Sequence, residues 1–88
     1  MFYVYILQSK HDDELYFGST TDLKRRFSEH NGGKVISTKS RRPFELVYYE
    51  AYRAEDDARE RERQLKLRGQ ARVQLKRRIA KSLLQGKS

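Results

Sequence analysis

Glu62 is the side chain whose position in the sequence demands the most explanation. On a helix it falls about 40° from Ala58, on the side that also holds Leu65. A carboxylate at the edge of an apolar stripe costs free energy unless it is paired or coordinates a cation. Glu62 therefore either forms an ion pair, with Arg59, Lys66 or a core-side arginine, or holds a hard divalent cation such as Mg²⁺ or Mn²⁺, which takes oxygen ligands and often only one or two carboxylates from the protein. Arg26 is open in the same way. It is either a structural partner of carboxylates and rings or a permanently charged, bidentate donor to a phosphate oxygen. Tyr5 and Tyr16 are core aromatics with a polar tip, or phenols that act as general bases once nearby cations pull the pKa down from about 10. His30, one turn beyond Arg26, either hydrogen-bonds in the core or to a phosphate, or shares in proton transfer. A metal-binding glutamate paired with such an arginine is what phosphoryl transfer needs. His11 has no second histidine or cysteine at metal spacing and is given no role.

These residues need elements to bring them together. Phe2 to Leu7 is apolar on both alternating faces, as a strand covered on both sides should be. The polar run Ser9 to Glu14 separates it from a second β-rich stretch, Leu15 to Gly18, so Tyr5 and Tyr16 fall on neighbouring strands of a hairpin. Thr20 or Thr21 can cap a helix with Asp22 in its first turn, running to about His30. Leu23, Phe27, Arg26 and His30 share its inward side. Asn31, Gly32 and Gly33 end that helix through a left-handed cap. Lys34 to Arg42 reads as a basic loop, and Phe44 to Tyr52, rich in aromatic and β-branched residues but imperfectly alternating, as a third strand. A helix over Ala54 to about Arg68 follows, with Ala58 and Leu65 on one stripe. Gly69 interrupts it before a last helix from Ala71 to Leu84, whose Leu75, Ile79 and Leu83 recur at i+4. The order is β-β-α-β-α-α, an α+β domain in which a three-stranded antiparallel sheet is flanked by helices.

Eighty-eight residues close one core, so residues 1–88 are read as a single domain with a basic helical extension from about residue 70. Cysteine is absent, which rules out disulfide and thiolate metal sites and points to the cytoplasm. The longest apolar stretch is far too short to span a bilayer. The net charge of +8 is concentrated late: residues 1–58 hold 9 basic and 10 acidic side chains, residues 59–88 hold 11 and 2. Such a segment attracts a polyanion, usually nucleic acid.

The residues also line up with a known pattern: Tyr3-Val4-Tyr5, eleven positions on Tyr16-Phe17-Gly18, then Ser19 to Arg26, Glu29-His30-Asn31, and Ala58 followed by Glu62 to Lys66. This resembles the signature of the GIY-YIG nucleases, and most closely the small stand-alone bacterial proteins similar to the amino-terminal nuclease domain of the excinuclease. The resemblance covers most of the chain. It implies hydrolysis of a DNA phosphodiester with one divalent metal, in the repair or processing of DNA. On it, Glu62 would hold the metal and Arg26 would stabilise charge on the attacked phosphate. Tyr5 and Tyr16 would orient or deprotonate water, His30 would assist, and Gly18 would let the backbone come close at the strand end. Tyr3 stands where the first motif has glycine, Ser19 where a lysine is common, and Asn31 is the only asparagine, so one carboxyl-terminal site position is unfilled. Lys24, Arg25, Lys39, Arg41, Arg42, Lys66 and Arg68 are the expected nucleic-acid contacts, on DNA with RNA left open. A monomer with weak or structure-dependent specificity is expected. Two other functions compete with the endonuclease: a nucleic-acid-binding module that has lost catalysis, and an adaptor docking a partner on Val73, Ala80 and Leu84.

Overall fold

The computed structural model describes residues 1–84. Its centre is β1 (Phe2–Ser9), in which every residue from Val4 to Ser9 is buried. β2 (Leu15–Thr20) and β3 (Phe44–Tyr52) pair with it antiparallel on either side, in the order β2-β1-β3. The doubly apolar pattern of β1 has its expected cause, because both sheet faces are covered. On one face Tyr5, Leu7 and Phe44 pack with Leu23 and Phe27 of α1 (Leu23–Asn31). On the other, Val4 and Ile6 pack with Ala58 and Leu65 of α2 (Glu55–Leu67) and with Leu75 of α3 (Gly69–Arg78) and Ile79. Each fully buried aliphatic side chain of this kind contributes about 1.5–3 kcal/mol.

The imperfect alternation of the third strand has a physical origin. Ile6 pairs with Tyr48 but Leu7 pairs with Leu46, so Val47 is an extra residue in a bulge. Val47 and Tyr48 therefore both face α2 and α3, while Leu46 faces α1. Beyond the bulge, Tyr49 stands opposite Tyr5.

Several boundaries differ from those expected of the sequence. The cap of α1 is Asp22, not Thr20 or Thr21: its carboxylate accepts the Arg25 N–H at 3.0 Å. Gly32, at the helix end, is right-handed, and the left-handed turn falls one residue later at Gly33, φ +76°. The basic loop contains a 3-10 helix, Ile36–Arg41, organised around the buried Thr38. Gly69 opens α3 instead of separating it, leaving only Arg68 between the two helices. α3 stops at Arg78, six residues short of the expected end, and turns carry Ile79 and Leu83 onto the same core. Leu84 closes that path by donating its N–H to the Gln8 side chain. The last four residues of the expected single domain lie outside the described residues. Among the described residues no helix is long and apolar enough to cross a membrane.

Candidate active site

Cross-strand partners point to the same face, so the register decides which side chains meet. Tyr5 lies opposite Gly18 and Leu7 opposite Tyr16, which puts both tyrosines on the α1 face, their ring centroids 6.3 Å apart. α1 brings His30 over them, fully buried: Nε2 is 2.8 Å from the Tyr5 hydroxyl, and the ring is 4.9 Å from that of Tyr16. On its far side His30 Nδ1 is 2.8 Å from Thr38 Oγ1. The Thr38 hydroxyl is directed at the Val35 carbonyl. A Thr38 proton so directed, across 3.4 Å, assigns the tautomer in which Nδ1–H donates to Thr38 and Nε2 accepts from Tyr5. Tyr5, His30, Thr38 and Val35 thus form one directed chain of hydrogen bonds.

Glu62 approaches from the other face. Val4 pairs with Ser19, which places the serine hydroxyl on the α2 side, where it donates to Glu62 Oε1 at 2.5 Å. Lys66, one turn along α2, meets Glu62 Oε2 at 2.7 Å and reaches to 5.9 Å from the centre of the Tyr16 ring. β2 is an edge strand, and the Lys66 ammonium beside the Tyr16 ring links the two sides across it. The phenol of Tyr5 lies over Gly18: a Cβ built there would be 2.5 Å from the Tyr5 hydroxyl. Glycine makes room here for that ring, where any side chain at the strand end would intrude. Arg26 pairs with Glu29 at 3.1 Å and lies close enough to the Tyr5 oxygen to act on it.

A family model described as the GIY-YIG catalytic domain matches residues 1–77. The chain belongs to the GIY-YIG nuclease family. It is 45% identical over 65 residues to a UPF0213 protein of Staphylococcus haemolyticus, covering 73% of this chain and 78% of that one, and 42% identical over 65 residues to a UPF0213 protein of Haloquadratum walsbyi, covering 73% and 72%. The solution structure of the UPF0213 protein BH0048 from Bacillus halodurans superposes with a TM-score of 0.54 at 40% identity, covering 85% of this chain and 82% of that one.

In this GIY-YIG domain the electrostatics assign the protons. Burial pushes the Tyr5 hydroxyl up to about 12, and the nearby Arg26 charge offsets only part of that. Tyr5 is therefore a firmly protonated donor, which favours the aromatic with a polar tip over the phenol made basic by nearby cations. Glu62 is pulled the other way. Burial alone would raise its carboxyl, but the Lys66 and Ser19 hydrogen bonds outweigh it and hold the group below its ordinary range. Arg26 is held charged, chiefly by Glu29. Of the ion-pair partners open to Glu62, the structure brings Lys66, which remains half exposed beside the site.

The other basic residues divide. Lys24 and Arg25 are exposed on α1, Lys39 on the 3-10 helix and Arg68 at the α2–α3 junction. Arg41 is bound to Asp12 at 3.2 Å and lies over the Phe44 ring, which makes it a brace of the β1–β2 loop. Arg42 donates to the Lys39 carbonyl and lies over Gly33. Three residues were missed by sequence reasoning. Glu29 was legible, since i+3 from Arg26 is a helical neighbour. Ser19 was read only as a missing lysine, and Thr38 lay in what looked like loop, where no periodicity marks a buried hydroxyl.

His30 gives a pH prediction. Burial first, and the Arg26 charge second, hold its pKa below the ordinary 6.5. As pH falls through 6.5 the unfolded chain takes up this proton before the folded one does, so stability is full above that pH and declines below it. Melting temperature, followed from pH 8 to pH 5, should begin to drop near pH 6.5, before the carboxylates titrate. A flat profile across that range would contradict the buried neutral imidazole.

Proposed function

We propose that this protein is a divalent-metal-dependent DNA endonuclease acting in DNA repair or processing in the cytoplasm. The observation that carries the reading is the ionised Glu62 carboxylate, gripped by Ser19 and Lys66 at the sheet edge around which Tyr5, Tyr16, His30 and Arg26 are gathered. The carboxylate already faces a cation, the Lys66 ammonium, so its donor chemistry fits a hard metal ion. Among the described residues no group of three or more His, Asp or Glu side chains converges. Glu62 would accordingly hold Mg²⁺ or Mn²⁺ as a single protein carboxylate. Bound there, the ion supplies Lewis-acid stabilisation of the phosphate's negative charge.

The chain's own residues supply the rest. Arg26 carries a permanent charge to the attacked phosphate. Tyr5, being protonated, orients the attacking water and relays its proton: as the hydroxyl takes a proton from water it passes its own to His30 Nε2, which is neutral and presents its lone pair there. The base is therefore His30 acting through Tyr5, with Thr38 fixing its tautomer. Tyr16 flanks the same water-binding space. Lys24, Arg25, Lys39 and Arg68, together with the basic residues of α3, hold the strand by phosphate contacts.

A labelled panel of duplex, single-stranded, flap and branched DNA beside RNA, each with Mg²⁺ or Mn²⁺ and with chelator, tests the reading. At least one DNA should be cut with metal and none with chelator. A domain that binds the panel with steep salt dependence but cuts nothing is the inactive binding module instead.

A further inference from the structure

A sizeable hollow lies on the α1 face of the sheet. It has a volume of about 550 Å³, and its lining includes Tyr3, Phe27, Leu46 and Tyr49 together with the exposed Asp22 and Lys24. Tyr3 and Tyr49 meet edge to face at 5.9 Å, an arrangement in which the edge-on ring keeps both faces free of its partner. Tyr49 is 52% exposed, a large aromatic presented to solvent on an edge strand.

The register ties this hollow to the proposed chemistry. Tyr49 is the cross-strand partner of Tyr5, Tyr3 precedes Tyr5 by two residues on the same face, roughly 6.6 Å along the strand, and Phe27 follows Arg26 on α1. The hollow is thus next door to the atoms that would handle the phosphate. Its own chemistry is unsuited to a phosphate. The walls are mainly aromatic and aliphatic, and Asp22 and Lys24 contribute one charge of each sign, so no net positive charge gathers there. A planar, neutral, polar-edged group fits such walls, and in a domain that works on nucleic acid that group is a nucleobase.

We infer that the Tyr3–Tyr49 hollow is a base-binding pocket that receives one unpaired base of the DNA strand whose neighbouring phosphate lies at Tyr5 and Arg26. The inference rests on the nuclease reading and narrows its substrate. A base can enter only when it is out of its pair, so the preferred DNA carries a single-stranded, frayed or flipped nucleotide beside the attacked bond.

The test measures binding of a single-stranded DNA oligonucleotide in chelator, so that nothing is cut. Tyr49→Ser, at an exposed position, should weaken binding roughly 5- to 150-fold, the range for loss of one base stacked on an aromatic ring. Tyr49→Phe should bind like the wild type. The slope of affinity against salt should be the same for all three, because no phosphate contact is lost. A set of oligonucleotides with one abasic site moved along the strand should contain a member that the wild type and Tyr49→Ser bind equally. Equal binding of the intact oligonucleotide by both proteins, or a ratio between them that no abasic position alters, overturns the pocket while leaving metal-dependent cutting untouched. Failure of every version to bind any nucleic acid at low salt overturns the pocket and the nuclease reading together.

Discussion

Glu62→Gln should abolish DNA cutting in Mg²⁺ or Mn²⁺ and leave DNA affinity intact. Glutamine keeps the shape of the side chain, and its carbonyl oxygen can still accept the Ser19 hydroxyl that now meets Oε1. What disappears is the charge. A neutral amide is a poor ligand for a hard divalent cation, so the several kcal/mol of transition-state stabilisation that such an ion supplies should go with it, a loss of roughly 10²- to 10⁴-fold in single-turnover rate. The fold should barely notice. The pair being broken joins adjacent turns of one helix, and its lysine is 45% exposed, so no more than about 1 kcal/mol is at stake. Removing one negative charge raises the net charge above +8 and frees Lys66, so phosphate binding should hold or tighten. Single-turnover cleavage and equilibrium binding on the same oligonucleotide, with melting as a control for folding, separate these effects. A variant that cuts at the wild-type rate would place the activity elsewhere.

How legible this site was in the chain depends on which physical signal each residue left. β1 announced itself through apolar residues on both of its alternating faces, and Tyr5 and Tyr16 through their place on two β-rich stretches joined by a polar turn. Arg26 and His30 followed from helical angle, although the same angle could not tell that His30 is buried outright while Arg26 is spent partly on Glu29. The face of Glu62 was readable and Lys66 was among its candidate partners, but Ser19 was not, because it is reached only through the β1–β2 register, a long-range fact. Charge counting found the basic carboxyl-terminal third but could not show that Arg41, which looks like any loop arginine in sequence, is held by Asp12 across 29 positions. The direction of the Tyr5 shift was the least accessible. It depends on burial exceeding the influence of Arg26, a balance of two effects of opposite sign that no spacing encodes.

The same close packing makes Gly18→Ala the substitution with the largest expected effect on the fold. The new Cβ would stand 2.5 Å from the Tyr5 hydroxyl oxygen and 2.6 Å from the ring carbon that bears it, closer than such atoms approach. Gly18 is paired with Tyr5 in the register and buried in the sheet, so the strand cannot retreat without losing its ladder. The phenol must move instead, and it is anchored at its far end by the 2.8 Å bond to His30. Overpacking of this kind costs about 1–3 kcal/mol. In a domain of this size each kcal/mol lowers the melting temperature by about 4–8 °C. A displaced Tyr5 hydroxyl also breaks the path to His30, so cutting should fall further than loss of folded protein explains. The cause can be isolated by a double-mutant cycle with Tyr5→Leu, which removes the ring that the methyl group meets. Gly18→Ala should then cost little beyond the Tyr5→Leu change itself, giving a coupling energy near the size of the single effect. Full additivity of the two changes would mean that the glycine is needed for its backbone and not for the space it leaves to the tyrosine.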